Sequence, residues 1–390
     1  MQKNERRQKR KTGKNADKIF AVVFTVCLVI LLVTNLLVPD QEMSKDEDRR
    51  LAGRPRMTVD SLLSGDYMEK YETYLLDQFA GRKWLRNLKV TWSRLGGSRE
   101  EQGVIIGKND RLMEKIFVPD QEVLGVNLEA IQMYAKKHPE IPVHMILVPD
   151  AANILREDLP YLYTSVDQKR MIAQVKRELE ESVNWIDVES VLNKHKDEAI
   201  YYKTDKHWTT AGAFYVFQAA AEKMGIGNAS SAKFATYPIS SNFNGGLASQ
   251  SGCEKNIKEV IEMYTPVEGD TGVIVNYVDE QRKTTSLYDS SKLKSSNQYE
   301  VFLGGDSSVI DIRTVSESKR RLLVMKDSFA NSFLPFLVPY FREIVVVDPQ
   351  YYGGTIDDIM DSYRITDALI LYSGNTFFQD NNISGVLSSE

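Results

Sequence analysis

Ile19–Val38 is a run of twenty residues without a single charge, and it limits the fold more strongly than any other stretch of the chain. As a helix rising about 1.5 Å per residue it is roughly 30 Å long, the thickness of a bilayer's hydrocarbon core. Eight basic residues precede it against two acidic ones, a net of +6, which leaves −11 for the rest of a chain that totals −5. A basic flank ahead of a first span holds the N-terminus in the cytoplasm and sends the remainder outward. The run is long for a signal-peptide core, and no small-x-small cleavage site follows it. We therefore read a retained, single-pass signal anchor in the cell membrane, in preference to a cleaved leader or a buried helix of a soluble protein. The expected layout is a cytoplasmic tail over 1–18, a span over 19–38, a polar linker over 39–58 and an extracytoplasmic domain over 59–390.

The domain has the material for a large core, since 42% of the chain is apolar and 10% aromatic. The acidic remainder shows no basic stripe, so no nucleic-acid partner is expected. Cys27 falls in the apolar run and Cys253 far from it, which argues against a structural disulfide.

Residues 60–95 place Tyr67, Tyr71, Tyr74, Leu75, Phe79, Trp84, Leu85, Leu88 and Trp92 at helical spacing. Two helices broken near Ala80-Gly81 are predicted, with these aromatic and apolar residues as core. Beyond them strands alternate with helices. Strands are read at 103–107, 143–148, 184–188, 301–303, 344–347 and 368–372, and helices at 124–137, 167–182, 190–195, 209–224 and 356–363. That rhythm predicts an α/β fold around a mostly parallel sheet. The stretch 240–297 breaks the rhythm and reads as a β-rich insertion.

The stretch 321–335, RLLVMKDSFANSFLP, carries the strongest chemical signal. An apolar strand runs into Asp327-Ser328 and then into a segment with helical features, which would set Ser328 at the carboxyl edge of the sheet. A serine needs a base and an orienting acid. His207 is one of four histidines, and Asp205 stands two residues before it, within reach of its Nδ1. Asp-x-His could instead cap a helix or form half of a metal site, but a metal site needs further ligands and none is expected. Gly305-Asp306-Ser307 offers a second serine; it is followed by an extended run rather than a helix, so Ser328 is preferred. For an oxyanion the chain offers the amide of Asn375, after the strand at 368–372, and the backbone of Gly353-Gly354, after the strand at 344–347.

The order strand–Asp-Ser, strand–Gly, strand–Gly-Asn resembles the SGNH (GDSL-like) hydrolase superfamily. There the acid and base usually follow the serine. Here Asp205 and His207 precede Ser328, as in the permuted SGNH-like domains of alginate O-acetyltransferases. The chain is most similar to the DHHW family of membrane-anchored bacterial proteins. The likeness is carried by Asp77-Gln78-Phe79 with Arg82, Thr204-Asp205-Lys206-His207-Trp208-Thr209, Asn242-Phe243 with Gly245, Phe302-Leu303-Gly304-Gly305, and Lys326 through Ser332. Lys206 stands where the family's name has its first histidine, and Lys326 where Gly-Asp-Ser has its glycine.

The resemblance implies a three-layer SGNH-like sandwich of permuted order and an O-acetyltransferase or acetylesterase acting on exported polysaccharide, without a cofactor. It implies Ser328 as nucleophile, His207 as base, Asp205 as its orienting acid, and Asn375, the Ser328 N–H and Gly353 or Gly354 around the oxyanion. A multi-pass membrane acyltransferase would supply the acetyl group. Trp208, Tyr351 and Tyr352 would be sugar-stacking residues, with packing as the competing role. The alternative is an inert glycan-binding or assembly protein on the same fold.

Overall fold

A computed structural model describes residues 2–44, 49–227, 232–253, 257–268 and 272–388. The chain divides into two units, residues 1–95 and 96–390.

In the first unit α1 (Gln2–Leu37) carries the apolar run. Its window Lys18–Asn35 has a mean hydropathy of 2.4, and it is long and apolar enough to cross a membrane. Thr25, Thr34 and Asn35 return their side-chain donors to carbonyls four residues back, so these polar groups are satisfied within the helix. A small hairpin follows, β1 (Met43–Ser44) with β2 (Arg49–Arg50), then α2 (Val59–Ser64), α3 (Asp66–Gln78) and α4 (Arg82–Leu95).

The motif Asp77-Gln78 is the tie of this unit. Asp77 is buried; its carboxylate accepts from the Ala52 N–H at 2.9 Å and pairs with Arg82 at 3.3 Å. The Gln78 amide bonds the backbone of Gln41 and Ala52. The predicted break near Ala80-Gly81 is present. The expectation that the apolar residues after it are core is not met: Trp84, Leu85, Leu88 and Trp92 are exposed.

The second unit begins with β3 (Glu100–Glu101), β4 (Val104–Ile106) and β5 (Leu112–Glu114), a three-stranded sheet. Next come α5 (Gln121–Lys137), β6 (Val143–Val148), α6 (Ala151–Ile154), α7 (Gln168–Leu179), β7 (Asn184–Trp185), α8 (Glu189–Lys194) and α9 (Thr210–Lys223). The β-rich stretch holds β8 (Phe234–Phe243), α10 (Gly246–Ser251), β9 (Glu259–Pro266), β10 (Val273–Tyr277) and β11 (Arg282–Thr284). The chain ends with β12 (Val309–Thr314), β13 (Arg321–Lys326), β14 (Glu343–Val347), α11 (Ile356–Tyr363), β15 (Asp367–Ser373), α12 (Gly374–Gln379) and α13 (Ile383–Leu387).

The main sheet has the order β11-β10-β12-β14-β13-β15-β6-β7. Pairings from β14 to β7 are parallel, and those from β14 outward to β11 are antiparallel. The β-rich stretch is thus split: β8 and β9 form a separate antiparallel pair, while β10 and β11 extend the edge of the main sheet. Alternate strand residues feed two cores. Ile146, Val324, Val346 and Leu371 pack with the α9 residues Val216 and Phe217. Met145, Leu323, Val345 and Ile370 pack with Leu128 of α5, Val175 of α7 and Ile359 of α11. Burial on both faces explains why these strands read as unbroken apolar runs.

Two expected elements differ. Residues 298–301 form a 3-10 turn and not a strand, and positive φ at Leu303, Gly304 and Gly305 carries the chain away from extended geometry. After Ser328 the chain makes three short 3-10 turns, Ser328–Ser332, Leu334–Phe336 and Val338–Tyr340, in place of a helix. Pro335 and Pro339 deny an α-helix the donors it needs there.

Lys326, at the end of β13, is fully buried and its ammonium meets the Asp348 carboxylate at 2.9 Å. Burial pushes the Asp348 carboxyl up, and Lys326 opposes that. Removing one partner of a buried pair strands a charge, so Lys326→Ala should cost about 3–5 kcal/mol, while Lys326→Met with Asp348→Leu should cost far less. Urea unfolding of the detergent-solubilised chain measures both; a Lys326→Ala loss below about 1 kcal/mol would show the pair to be dispensable.

Candidate active site

Asp327 and Ser328 leave the carboxyl end of β13, the strand at which the chain reverses direction across the sheet. From β13 it steps to β14 on one side and then returns through α11 to β15 on the other. Open α/β sheets form their ligand crevice at such a switch point. Asp327 fixes the turn: its carboxylate accepts from the Phe329 N–H at 3.0 Å, and from the N–H and hydroxyl of Ser373, at the end of β15, at 3.0 and 2.7 Å. Ser328 opens a 3-10 turn, so its own N–H has no partner within that turn.

The segment 204–208 meets this turn from across the molecule. His207 Nε2 lies 2.8 Å from Ser328 Oγ, and His207 Nδ1 lies 2.5 Å from Asp205 Oδ1. With Nδ1 donating to the carboxylate, Nε2 is left to accept the serine proton. Asp205 is buried and also accepts from the N–H groups of His207 (3.0 Å) and Gly246 (2.8 Å). Burial alone would raise its pKa; the attraction of His207 and these hydrogen bonds outweigh that and bring it down to about 2.

The surroundings hold the loop in place. A Cβ at Gly245 would sit 2.6 Å from Asp205 Oδ2, so only glycine lets that backbone approach. Glu259 on β9 accepts from the Thr204 N–H and hydroxyl at 2.9 and 2.6 Å. Tyr299 stacks on the His207 ring at 3.7 Å between centroids, and its hydroxyl donates to Ser332 Oγ at 3.0 Å.

Trp208 does not line an open subsite. It is fully buried, and its indole N–H lies 2.9 Å from the Phe329 carbonyl and 3.0 Å from Ser332 Oγ. It tethers the histidine loop to the serine turn and has no face left for a sugar. Tyr352 is half-buried and donates to the Thr355 carbonyl, whereas Tyr351 is exposed with its hydroxyl 3.3 Å from Asp306. Asn375 is a second correction. Its side-chain amide donates to Glu114 (3.0 Å) and the Lys115 carbonyl (2.8 Å), and its Oδ1 accepts from the Phe117 N–H. Both amide hydrogens are spent on β5 and the loop after it, which takes them away from an oxyanion. Gly353 and Gly354 lie on the loop after β14, at the same sheet edge as Ser328. Ser307 is bound to Glu280 at 3.1 Å.

Three residues that sequence reasoning left without a role gather here. Asp150 ends β6, two strands from β13, and is buried. Its Oδ2 accepts from the Asn375 N–H at 2.8 Å and from the Gln168 amide, while Oδ1 has no partner among the described residues. Burial and then the charge of Glu114 push the Asp150 carboxyl up to about 7, against the pull of Gln168 and Asn375. Lys206 faces the same group. Burial works against its charge, but Glu114, Asp327, Asp205 and Asp150 together raise its pKa. The signal available in the sequence was the strand ending Val148-Pro149-Asp150, which the parallel register brings beside β15.

The family model described as DHHW protein matches residues 118–347. No curated protein matches the chain significantly. Among solved structures, a DHHW family protein from Eubacterium siraeum is similar at a TM-score of 0.60 with 23% identity, over 74% of this chain and 99% of that one. Bacillus cereus PatB1 carrying a sulfonyl adduct is similar at 0.59 with 19% identity, over 71% of this chain and 96% of that one. PatB1 without the adduct scores 0.56.

The acidic edge makes stability depend on pH. An unfolded aspartate titrates near 4 and the folded Asp150 at about 7. Its protonated form therefore contributes fully below about pH 4, and the contribution is lost as pH rises through about 7. Asp150→Asn stays neutral, so its melting temperature relative to the wild type should rise between about pH 4 and 7 and level off above that. An unchanged difference across that range would mean that Asp150 is ionised throughout.

Proposed function

The chain belongs to the DHHW family, and from that premise we propose that it is a serine-dependent O-acetyltransferase or acetylesterase of extracytoplasmic polysaccharide, held to the membrane by α1. The observation that carries the reading is the 2.8 Å contact between His207 Nε2 and Ser328 Oγ, made across 121 positions of sequence, with Asp205 behind the imidazole. The resemblance of the same residues to permuted SGNH-like O-acetyltransferases supports the substrate class.

In this reading the Ser328 oxygen attacks the acyl carbonyl carbon while His207 Nε2 takes the hydroxyl proton. Asp205, held low by its hydrogen bonds, stays ionised and balances the imidazolium. The tetrahedral oxyanion meets the Ser328 N–H. Collapse breaks the bond to the donor oxygen, which leaves with the proton from His207. A sugar hydroxyl or water then gives its proton to His207 and attacks the acyl-serine; the bond from the acyl carbon to Ser328 Oγ breaks, Oγ takes the proton back from His207, and ester or free acid is released. A multi-pass membrane acyltransferase as acetyl donor fits an anchored enzyme, and Tyr351 is the remaining exposed aromatic of the sugar-stacking set. Gly353 or Gly354, on the loop after β14, would supply the second backbone donor to the oxyanion.

Turnover of a chromogenic acetyl ester by the full chain in detergent tests this. Ser328→Ala and His207→Ala should each lower kcat/KM by about 10³-fold or more, and Asp205→Asn by about 10²–10⁴-fold. Ser307→Ala should leave it unchanged. A sulfonyl fluoride should label the wild type at Ser328, read by intact mass. A folded Ser328→Ala protein that turns over ester normally would overturn the enzymatic reading; full polysaccharide modification in cells carrying it would favour the assembly role.

A further inference from the structure

Helix α4 is built inside out. Its sequence, Arg82–Leu95, holds five basic residues and no acidic one. At 100° per residue, Trp84, Leu85, Leu88, Trp92 and Leu95 fall within an arc of about 100°. A helix on the surface of a soluble domain turns such an arc inward. Here the arc faces out: Trp84 is 66% exposed, Leu88 47%, Trp92 75% and Leu95 79%. The buried residue is Val90, which lies on the opposite side among the basic positions. The helix therefore buries Val90 on its polar side and presents two tryptophans and three leucines outward. That composition, with basic residues flanking a Trp/Leu stripe, is the pattern of helices that lie in a membrane interface.

The place of α4 fits the same partner. The turn that starts it is fastened to the end of the apolar run, where the Ala80 N–H donates to Asn35 Oδ1 at 2.9 Å. Asn35 closes the apolar window Lys18–Asn35. If that window fills the hydrocarbon, the first residues of α4 stand at the level of the headgroups. Fourteen residues then give about 21 Å of helix to run along the surface.

We propose that α4, whose sequence carries five basic residues and no acidic one, is an interfacial helix that inserts Trp84, Leu88, Trp92 and Leu95 into the acyl–headgroup boundary of a bilayer containing anionic lipid. This rests on the reading of α1 as the membrane anchor. The occupant is the lipid surface itself, because the turn that starts the helix is bonded to the last residue of the apolar window, at the depth where a span ends, and the helix carries net positive charge. Anchor and helix make two attachments, and the second limits the tilt and rotation of the first unit about a single span.

The test uses the full chain reconstituted into phosphatidylcholine vesicles, with and without phosphatidylglycerol, containing lipid brominated near the headgroup end of its chains. Tryptophan emission of the wild type is compared with that of Trp84→Phe/Trp92→Phe, so that the difference isolates the α4 indoles from Trp185 and Trp208. The difference signal should fall by roughly half or more with brominated lipid, fall further with phosphatidylglycerol, and resist aqueous acrylamide. Quenching by acrylamide and not by bromine would overturn the inference in favour of a free aqueous face. Indifference to both would overturn it in favour of cover by protein. Flotation with the vesicles separates the premise: a chain that floats without bromine quenching keeps its anchor and loses the α4 proposal, and a chain that fails to float loses both.

Discussion

The site depends on a buried carboxylate that cannot move. Asp205 is held by the His207 and Gly246 N–H groups and by the imidazole, and the absence of a side chain at Gly245 lets the backbone close over it. A carboxylate held this tightly stays ionised down to about pH 2, so the orienting charge behind His207 persists across the working range. The imidazole follows from it. One ring nitrogen is committed to the carboxylate, and the ring plane is set by Tyr299 stacked against it. The serine turn follows in its own way, through Asp327 bound to Ser373 and through the Trp208 indole reaching Phe329 and Ser332. Each tether joins segments far apart in sequence, so the pocket is assembled only when the whole second unit has folded.

Much of this was legible beforehand because it is local. Buried parallel strands write themselves as apolar runs, and β6, β13, β14 and β15 were found near their true ends. Asp205, His207 and Ser328 were singled out because nucleophile, base and acid need particular side chains on particular kinds of turn, and the fold brings the three side chains together. What failed was long-range. Trp208 looked like a sugar platform because an aromatic beside a candidate site histidine carries no mark of which way it faces; the fold turns it inward. Asn375 looked free because its partners, Glu114 and Lys115, lie more than 250 residues away. The apolar residues of α4 were read as core because helical spacing reveals that a stripe exists, not what covers it.

The acidic edge shows why a lysine stands in the Asp-Lys-His segment. Glu114, Asp150, Asp205 and Asp327 all act on Lys206 from the end of the sheet, and Glu114 adds to the burial that raises the Asp150 carboxyl. Lys206 is the cation within that group, and it shares a loop with His207. The four carboxylates favour its charge against the cost of burial, whereas Asp150 is raised first by burial and then by Glu114. A neutral residue at 206 would remove the positive charge that these carboxylates favour. The departure from the family's name thus has an electrostatic reason in this chain's own surroundings.

The choice between the two Asp-Ser pairs comes down to strand direction. Ser307 precedes β12, and β12 runs antiparallel to β14 with Val309 opposite Val347. That register brings Ser307 to the same edge of the sheet as Ser328, but on the far side of β14. Two strand spacings of about 4.8 Å put the ends of β12 and β13 roughly 10 Å apart. An imidazole fixed by Asp205 can serve one of these positions and not both. Its Nε2 is at hydrogen-bond distance from Ser328, while the Ser307 hydroxyl is taken by Glu280 and its neighbour Ser308 by Asp279. The familiar Gly-Asp-Ser triplet therefore sits in a polar turn at the antiparallel edge, and the imidazole meets the serine that follows the strand at which the chain reverses.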